Sequence, residues 1–507
     1  MLAVPRTRWL VVALRTLGAI AVLGGLGTLG ACAHVPLVSP ARGGHRWIEA
    51  RSRHFTLRTD LSPHQAHGAL REFEETYAIL ENIAFPSLLP LRKKAPPQRI
   101  DLVIFRDEID FQALAPAGAA GYYTPYLNNI VDPRPTIVLY GELTPDSRRR
   151  FQHELTHRFF GTRVRHAPPW LEEGLADYYS TLRYEQAVLY LGELPVRRLL
   201  VTEIRSFVGL LDRWIEYRLR SSELPSLTEL LQADGQTFHR PASEAAFYAA
   251  SWAFVHMLNL GPENYRPRFQ AYLADLGAGV PSEDAWQRRF GDLPRERLEH
   301  EFRQYVQRTE MPFQHQVYIP PRPPVERVTR PLAPADVHAL WARIRPWDSR
   351  ENILRAGQDL RQAVALAPND PEVRYWLSFY HQRWRRFGEA EADLRQALAV
   401  HPREPRYWHA LADLLDEGAR QRGDTPSRAR ADEAVHHLME LARSPAELHF
   451  LARYYSERGE VDEGLPYARR ALELEPGCWE CADTLALLRD AQARRTREPP
   501  ATGRTPH

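Results

Sequence analysis

Apolar and polar positions first alternate and then recur at helical spacing. Between Trp47 and Thr59 the alternation of Phe55, Leu57 and Thr59 predicts a strand. Pro63 to Ile83 carries Ala66, Leu70, Phe73, Tyr77 and Leu80 on one helical face, and Ile100 to Phe105, apolar but for Asp101, reads as a buried-type strand. Gly121-Tyr122-Tyr123-Thr124-Pro125 leads through Asn128-Asn129 to Ile130-Val131, and Thr136 to Tyr140 is the next strand. From Asp146 to about Thr309 the spacing is mostly helical. Strands mixed with one helix, then a run of helices, predict an α+β domain over residues 46–310.

The pattern breaks from Tyr318 to about Arg350, where Pro320, Pro321, Pro323, Pro324, Pro331, Pro334 and Pro346 crowd together. Such a run favours extended, semi-rigid backbone, so residues 311–349 read as a linker holding the flanking parts apart. Beyond it the chain repeats. Ala367-Pro368 closes one helical segment and His401-Pro402 the next, and 402 − 368 is 34. Within Asp370 to Pro402, residues Trp376, Leu377, Gly388, Ala390, Ala397 and Pro402 resemble the tetratricopeptide pattern. Tyr407 to Ala442 is a second unit with a longer middle, and Ala446 to Pro476 a third. Ile353 to Pro368 reads as the second helix of a partial leading unit, and Trp479 to Arg494 as a capping helix. The resemblance implies an all-α solenoid over 350–496, in which stacking buries faces that no single helix pair can bury, and a protein partner bound through the repeats.

Composition narrows the classes. With 44% hydrophobic residues the chain is not globally disordered. It has 66 basic against 64 acidic residues, and no excess that argues for nucleic acid. Three cysteines exclude a disulfide scaffold or a cysteine-rich zinc array.

The N-terminus reads as an address. Arg6 and Arg8 precede a run from Trp9 to Ala31 broken only by Arg15, Thr16 and Thr28. Leu29-Gly30-Ala31-Cys32 resembles the bacterial lipobox, which implies cleavage of residues 1–31 and lipidation of Cys32. A membrane-spanning helix with a chance cysteine is the other reading, but five glycines in the stretch favour cleavage. Ala33 after the cysteine implies the periplasmic face of the outer membrane, so the expectation is a cell-envelope protein held to the membrane by lipid.

The chemistry centres on His153-Glu154-Leu155-Thr156-His157. Residues four apart share a helix face, so both imidazoles reach one metal ion, with Glu154 beside it to take a proton from an attacking water. Pro169-Trp170-Leu171-Glu172-Glu173-Gly174 follows, and Asp177 lies four after Glu173. Together these resemble the gluzincin metallopeptidases and the bacterial peptidase MA-like family. The resemblance implies a zincin-like fold, Zn2+ held by His153, His157 and Glu173, and Asp177 as the carboxylate behind a zinc histidine. Glu172 is the other candidate ligand, though helical phase pairs Asp177 with Glu173. Gly161 and His166 fall at the wrong spacing for a metzincin.

Tyr248, opening Tyr248-Ala249-Ala250-Ser251-Trp252, resembles the gluzincin tyrosine that stabilises the oxyanion, or else is one more core aromatic. His256, eight residues on, reads as a core histidine. Thr136 to Tyr140 is placed to be the edge strand that binds substrate, or else is plain core. No amine-anchoring segment precedes His153, so aminopeptidase specificity is unsupported. Cys478-Trp479-Glu480-Cys481 lacks the context for haem or thioredoxin chemistry, and a local disulfide is the plain reading. The whole reads as zinc-dependent peptide-bond hydrolysis on a peptide or protein substrate. The alternative is an inactive repeat-bearing envelope scaffold. The intact His153, Glu154, His157, Glu173 and Asp177 favour the enzyme.

Overall fold

The structure, a computed structural model, describes residues 37–497 apart from 85–98, 117–118, 120, 125–133, 142–144, 162, 165–166, 194–223, 241–242, 309, 321–328 and 423–424. Cys32, His166 and residues 1–31 lie outside the described residues. Among those described, no helix is long and apolar enough to cross a membrane.

The stretch read as one strand is two, β1 (Ile48–Arg51) and β2 (Phe55–Thr59), because Ser52 N–H donates to Phe55 O and turns the chain. Helix α1 (Pro63–Ile79) starts on a capping box of Ser62 and Gln65 and buries Ala66, Leu70, Phe73 and Tyr77. Next come β3 (Ile100–Phe105), the short α2 (Glu108–Gln112), β4 (Tyr122–Thr124) and β5 (Thr136–Tyr140). Helices α3 (Pro145–Gly161) and α4 (Pro169–Ser180) follow. The supposedly helical stretch then holds a hairpin, β6 (Arg183–Glu185) and β7 (Val188–Leu191). Helices α5 (Leu227–Gln232), α6 (Gly235–Phe238), α7 (Glu244–Leu260), α8 (Arg266–Gly277), α9 (Ser282–Phe290) and α10 (Arg295–Val306) complete this half.

The linker expected over 311–349 is corrected. It holds β8 (Gln314–Val317), which pairs with β7, and β9 (Thr329–Pro331), which pairs with β1. It also holds helix α11 (Pro334–Ile344). The main sheet therefore has the order β4-β5-β3-β2-β1-β9, with β2, β3 and β5 mutually parallel. A parallel strand covered on both faces reads as a near-continuous apolar run, which β3 is apart from Asp101. On β3, Ile100, Leu102 and Ile104 face the large core with α1, α3 and α4, while Val103 and Phe105 face a second core with Trp47, Val337, Leu340 and Trp341. Helix α11 thus covers the second face, and Trp47 packs edge-on against Phe105 and Trp341.

Buried charge fixes that docking. Asp101 on β3 lies 2.9 Å from Arg58 Nη1 and 2.7 Å from Arg343 Nη1 on α11. Burial alone would raise its carboxyl, but the Arg58 and Arg343 guanidiniums outweigh it and hold it far below the usual range. Asp101→Ala leaves the two guanidiniums facing each other in the interior. We expect it to destabilise the protein by about 3–5 kcal/mol in denaturant melts, and a change under about 1 kcal/mol would show the network to be dispensable.

The repeats stack as helix hairpins: α11 with α12 (Arg350–Leu366), α13 (Pro371–Arg383) with α14 (Phe387–Val400), and α15 (Pro405–Arg422) with α16 (Thr425–Leu441). The last pair is α17 (Pro445–Glu457) with α18 (Val461–Leu474), capped by α19 (Trp479–Arg497). The leading unit is therefore complete, with α11 as its first helix. The longer middle expected in the second unit is taken up by longer helices, 18 and 17 residues. Proline at the first helical position opens α11, α13, α15 and α17, where its missing N–H and fixed φ do no harm. Cys478 and Cys481 are disulfide-bonded at the head of α19.

Candidate metal centre

Helix α3 is rotated by its apolar side. Phe151, Leu155, Phe159 and Phe160 are buried in the large core, which leaves His153, Glu154 and His157 half-buried along a cleft. Helix α4 opens on Pro169 and buries Trp170, Leu171, Leu175 and Tyr178, which turns Glu173 and Asp177 toward α3. Helix α4 also meets α7 closely. A Cβ on Gly174 would lie 2.7 Å from Ser251 O, so a side chain there would force the helices apart. That approach sets Tyr248, one turn earlier on α7, near Glu173, whose negative charge acts on its hydroxyl.

Three side chains converge. His153 Nε2 and His157 Nε2 are 3.0 Å apart, and each is 3.6 Å from Glu173 Oε2. These three can hold one metal ion, their ligand atoms lying within 4.8 Å of one another. His153 Nδ1 is 2.9 Å from Asp177 Oδ1, so its proton is directed there and its Nε2 lone pair faces the cleft. His157 Nδ1 lies 3.5 Å from Glu172 Oε1. Two nitrogen lone pairs and a carboxylate oxygen thus point at one spot, and Glu173 Oε2 is buried with no hydrogen-bond partner. Such an arrangement is repulsive unless a cation sits within it. Tetrahedral zinc at about 2.0–2.1 Å from each ligand would set those atoms about 3.3 Å apart, between the separations found. The donor set fits the metal.

The electrostatics agree. Burial works against a charged His157, yet the Glu173 and Glu172 carboxylates outweigh it and push the imidazole up to about 10. Burial would likewise raise Glu173, but His157 and His153 hold it well below the carboxylate range. The pocket demands positive charge at its centre. Burial, then the negative charge of Glu173 and Asp177, drives Tyr248 far upward, which keeps its hydroxyl protonated as a donor.

His153, His157, Glu173, Asp177 and Tyr248 are thus brought together, and Glu154 lies next to His153 on α3. Thr136–Tyr140 is not an edge strand: β5 is hydrogen-bonded to β3 on one side and β4 on the other, and among the described residues the edge is β4. His256 is a core histidine. Its Nε2 is 2.8 Å from Gly192 O and its Nδ1 2.7 Å from Tyr305 Oη, and burial lowers it to about 4. Sequence reasoning missed two contributors, Glu172 as the group behind His157 and Gly174 as the point of helix contact. Their signal was the Glu-Glu-Gly run itself, since neighbours on a helix are turned about 100° apart.

No protein-family model matches the chain, and no curated protein matches it in sequence. Solved structures show distant likeness. A human IFIT1 dimer with PPP-AAAA aligns at 15% identity over 57% of this chain and 59% of that one, with a TM-score of 0.26. The tetratricopeptide protein TTC0263 of Thermus thermophilus aligns at 19% identity over 28% of this chain and 92% of that one, TM-score 0.20. Native yeast LTA4 hydrolase aligns at 13% identity over 88% of this chain and 66% of that one, TM-score 0.27. The chain spans less than two thirds of the IFIT1 and LTA4 hydrolase chains, and likeness at these TM-scores carries no argument about function. What the chain itself shows is a helical-hairpin solenoid joined to a mixed sheet and a group of three residues that could hold a metal ion.

Proposed function

We propose that the protein is a zinc-dependent, gluzincin-type peptide hydrolase. The observation that carries this is the convergence of His153 Nε2, His157 Nε2 and the buried, unpartnered Glu173 Oε2. Zinc, when bound there, supplies Lewis acidity and makes water more acidic. Asp177 holds the His153 proton on Nδ1, and the Glu172 carboxylate lies 3.5 Å from Nδ1 of His157. Glu154 takes a proton from the attacking water and returns it to the leaving amine. Tyr248 donates its hydroxyl hydrogen to the oxyanion as the carbonyl becomes tetrahedral. The test is metal content and peptide turnover together. Wild-type protein should carry stoichiometric zinc and lose turnover with a chelator. His157→Ala should abolish stoichiometric zinc, and zinc retained in that variant would mean that the ligands are others.

The lipobox resemblance supports a further part of the reading, that Cys32 is lipidated and tethers the protein to the cell envelope. Cys32→Ser should release the protein from membranes or leave the precursor uncut. Unchanged fractionation with a mature N-terminus would point to another anchor. The repeats suit a protein ligand, and the near-equal charge of the chain offers no polyanion-binding excess.

A further inference from the structure

A disulfide closes the turn between the last hairpin of the stack and its cap. Cys478 and Cys481, three apart in sequence, are bridged at the head of α19, a helix of 19 residues. A cross-link stabilises mainly by removing loop entropy from the unfolded chain, and a ring this short removes little of it. The bridge is therefore a poor staple. Its two sulfurs also differ. Cys481 is fully buried among apolar side chains of the repeats, whereas Cys478 is only partly covered. Cys478 stands where a helix N-cap stands. Its carbonyl accepts from Ala482 N–H at 3.2 Å, and its Sγ lies 3.2 Å from the backbone nitrogen of Cys481. A sulfur released there as a thiolate meets a backbone donor and the positive end of a helix. The Glu480 carboxylate, 4.0 Å from the same sulfur, tempers that hold and preserves the sulfur as a nucleophile.

The bridge also reaches the sheet-bearing half through one residue. Cys478 N–H donates to Glu475 O at 3.0 Å, and Glu475 N–H donates to Ala471 O in the last turn of α18. Glu475 is thus held between α18 and the disulfide. Its carboxylate lies 3.7 Å from Nη1 of Arg158, the residue after His157 on α3, and both side chains are half-buried.

We propose that Cys478 and Cys481 form a reversible thiol–disulfide site, and that opening it loosens the Glu475–Arg158 contact between the repeats and α3. The reductant is a low-molecular-weight thiol. Its thiolate attacks the reachable Sγ of Cys478, the bond to Cys481 breaks, and the electron pair leaves on the Cys481 sulfur, which takes a proton from solvent. A second thiolate attacks the reductant's sulfur in that mixed disulfide and releases Cys478 as a thiolate beside Cys481 N–H. Two small thiols become one disulfide, and one protein disulfide becomes two cysteines. With the ring open, Cys478 turns freely, and the N–H that holds Glu475 loses its covalent anchor. Cys481 stays packed as a small apolar side chain, so the stack itself persists.

The experiment uses the full-length, zinc-loaded protein with reduced glutathione at millimolar concentration under native conditions. Trapped thiols are located by peptide mass. A structural bridge resists glutathione, whereas a reactive one yields to it. We expect the bridge to open in the folded protein, glutathione to appear on Cys478 and not on Cys481, and oxidised glutathione to close it again. Opening should speed amide exchange of residues 157–161, at the end of α3, by at least about fivefold. In Glu475→Gln, exchange there should be fast in both states and insensitive to glutathione. Cys478→Ser gives the open state without any thiol reagent and should match the glutathione-opened protein, with zinc retained. A bridge that opens only on unfolding, glutathione found first on Cys481, or unchanged exchange in α3 would overturn the proposal. So would a rise on opening that is as large in Glu475→Gln as in wild type. None of these readouts involves peptide hydrolysis, so their failure leaves the hydrolase reading intact.

Discussion

Glu154→Gln is expected to leave zinc bound and to lower turnover by several orders of magnitude. The metal-facing atoms belong to His153, His157 and Glu173, and Glu154 is not among them. Glu154 is the neighbour of His153 on α3, and its negative charge is one of the influences that raise that imidazole. Gln keeps the size and the hydrogen-bonding of the side chain but cannot accept a proton. A positioned general base is worth about 10²–10⁴ in rate, and loss of the negative charge near the developing ammonium adds to that. The check is kcat on a model peptide alongside metal analysis of the same sample. Near-normal turnover with zinc in place would sink the mechanism.

A chain ending at Thr309 is expected to lose both its cooperative melt and its zinc. The cut removes β9 from the edge of the main sheet and β8 from β7. It also removes α11, which exposes Trp47, Val103, Phe105 and Val138 and leaves Asp101 without Arg343. Exposing three or four large apolar side chains costs about 1.5–3 kcal/mol each, comparable in sum to the whole stability of a typical domain. A chain ending at residue 349 keeps β8, β9 and α11, and should retain far more of both signals. Thermal melts and zinc stoichiometry of the two shortened chains decide the matter. A 309-residue chain that melts cooperatively with full zinc would show that the repeats and their leading helix are a separable module after all.

The candidate metal-holding group and the repeats were legible in the chain alone, because both are written in local spacing. His153 and His157 are one turn apart, Asp177 is one turn from Glu173, and the 34-residue period sets where each helix pair ends. Periodicity also placed Ile100–Phe105 as a strand buried on both faces, but could not say what covers the second face. That partner is α11, read as linker because its prolines were counted as breakers. Pro334 is instead the first helical residue, as Pro371, Pro405 and Pro445 are, and Val337, Leu340, Trp341 and Ile344 carry helical spacing behind it. Contacts between distant residues settled the rest. Strand order put β5 between β3 and β4 and so took it from the edge, through pairing between segments far apart in the chain. The close approach of α4 and α7 at Gly174 brought Tyr248 to the cleft from 75 residues beyond Glu173. Ion pairs of Arg134 with Glu372 and of Arg158 with Glu475 join the repeats to the sheet-bearing half, and no local period can encode which distant charges will meet.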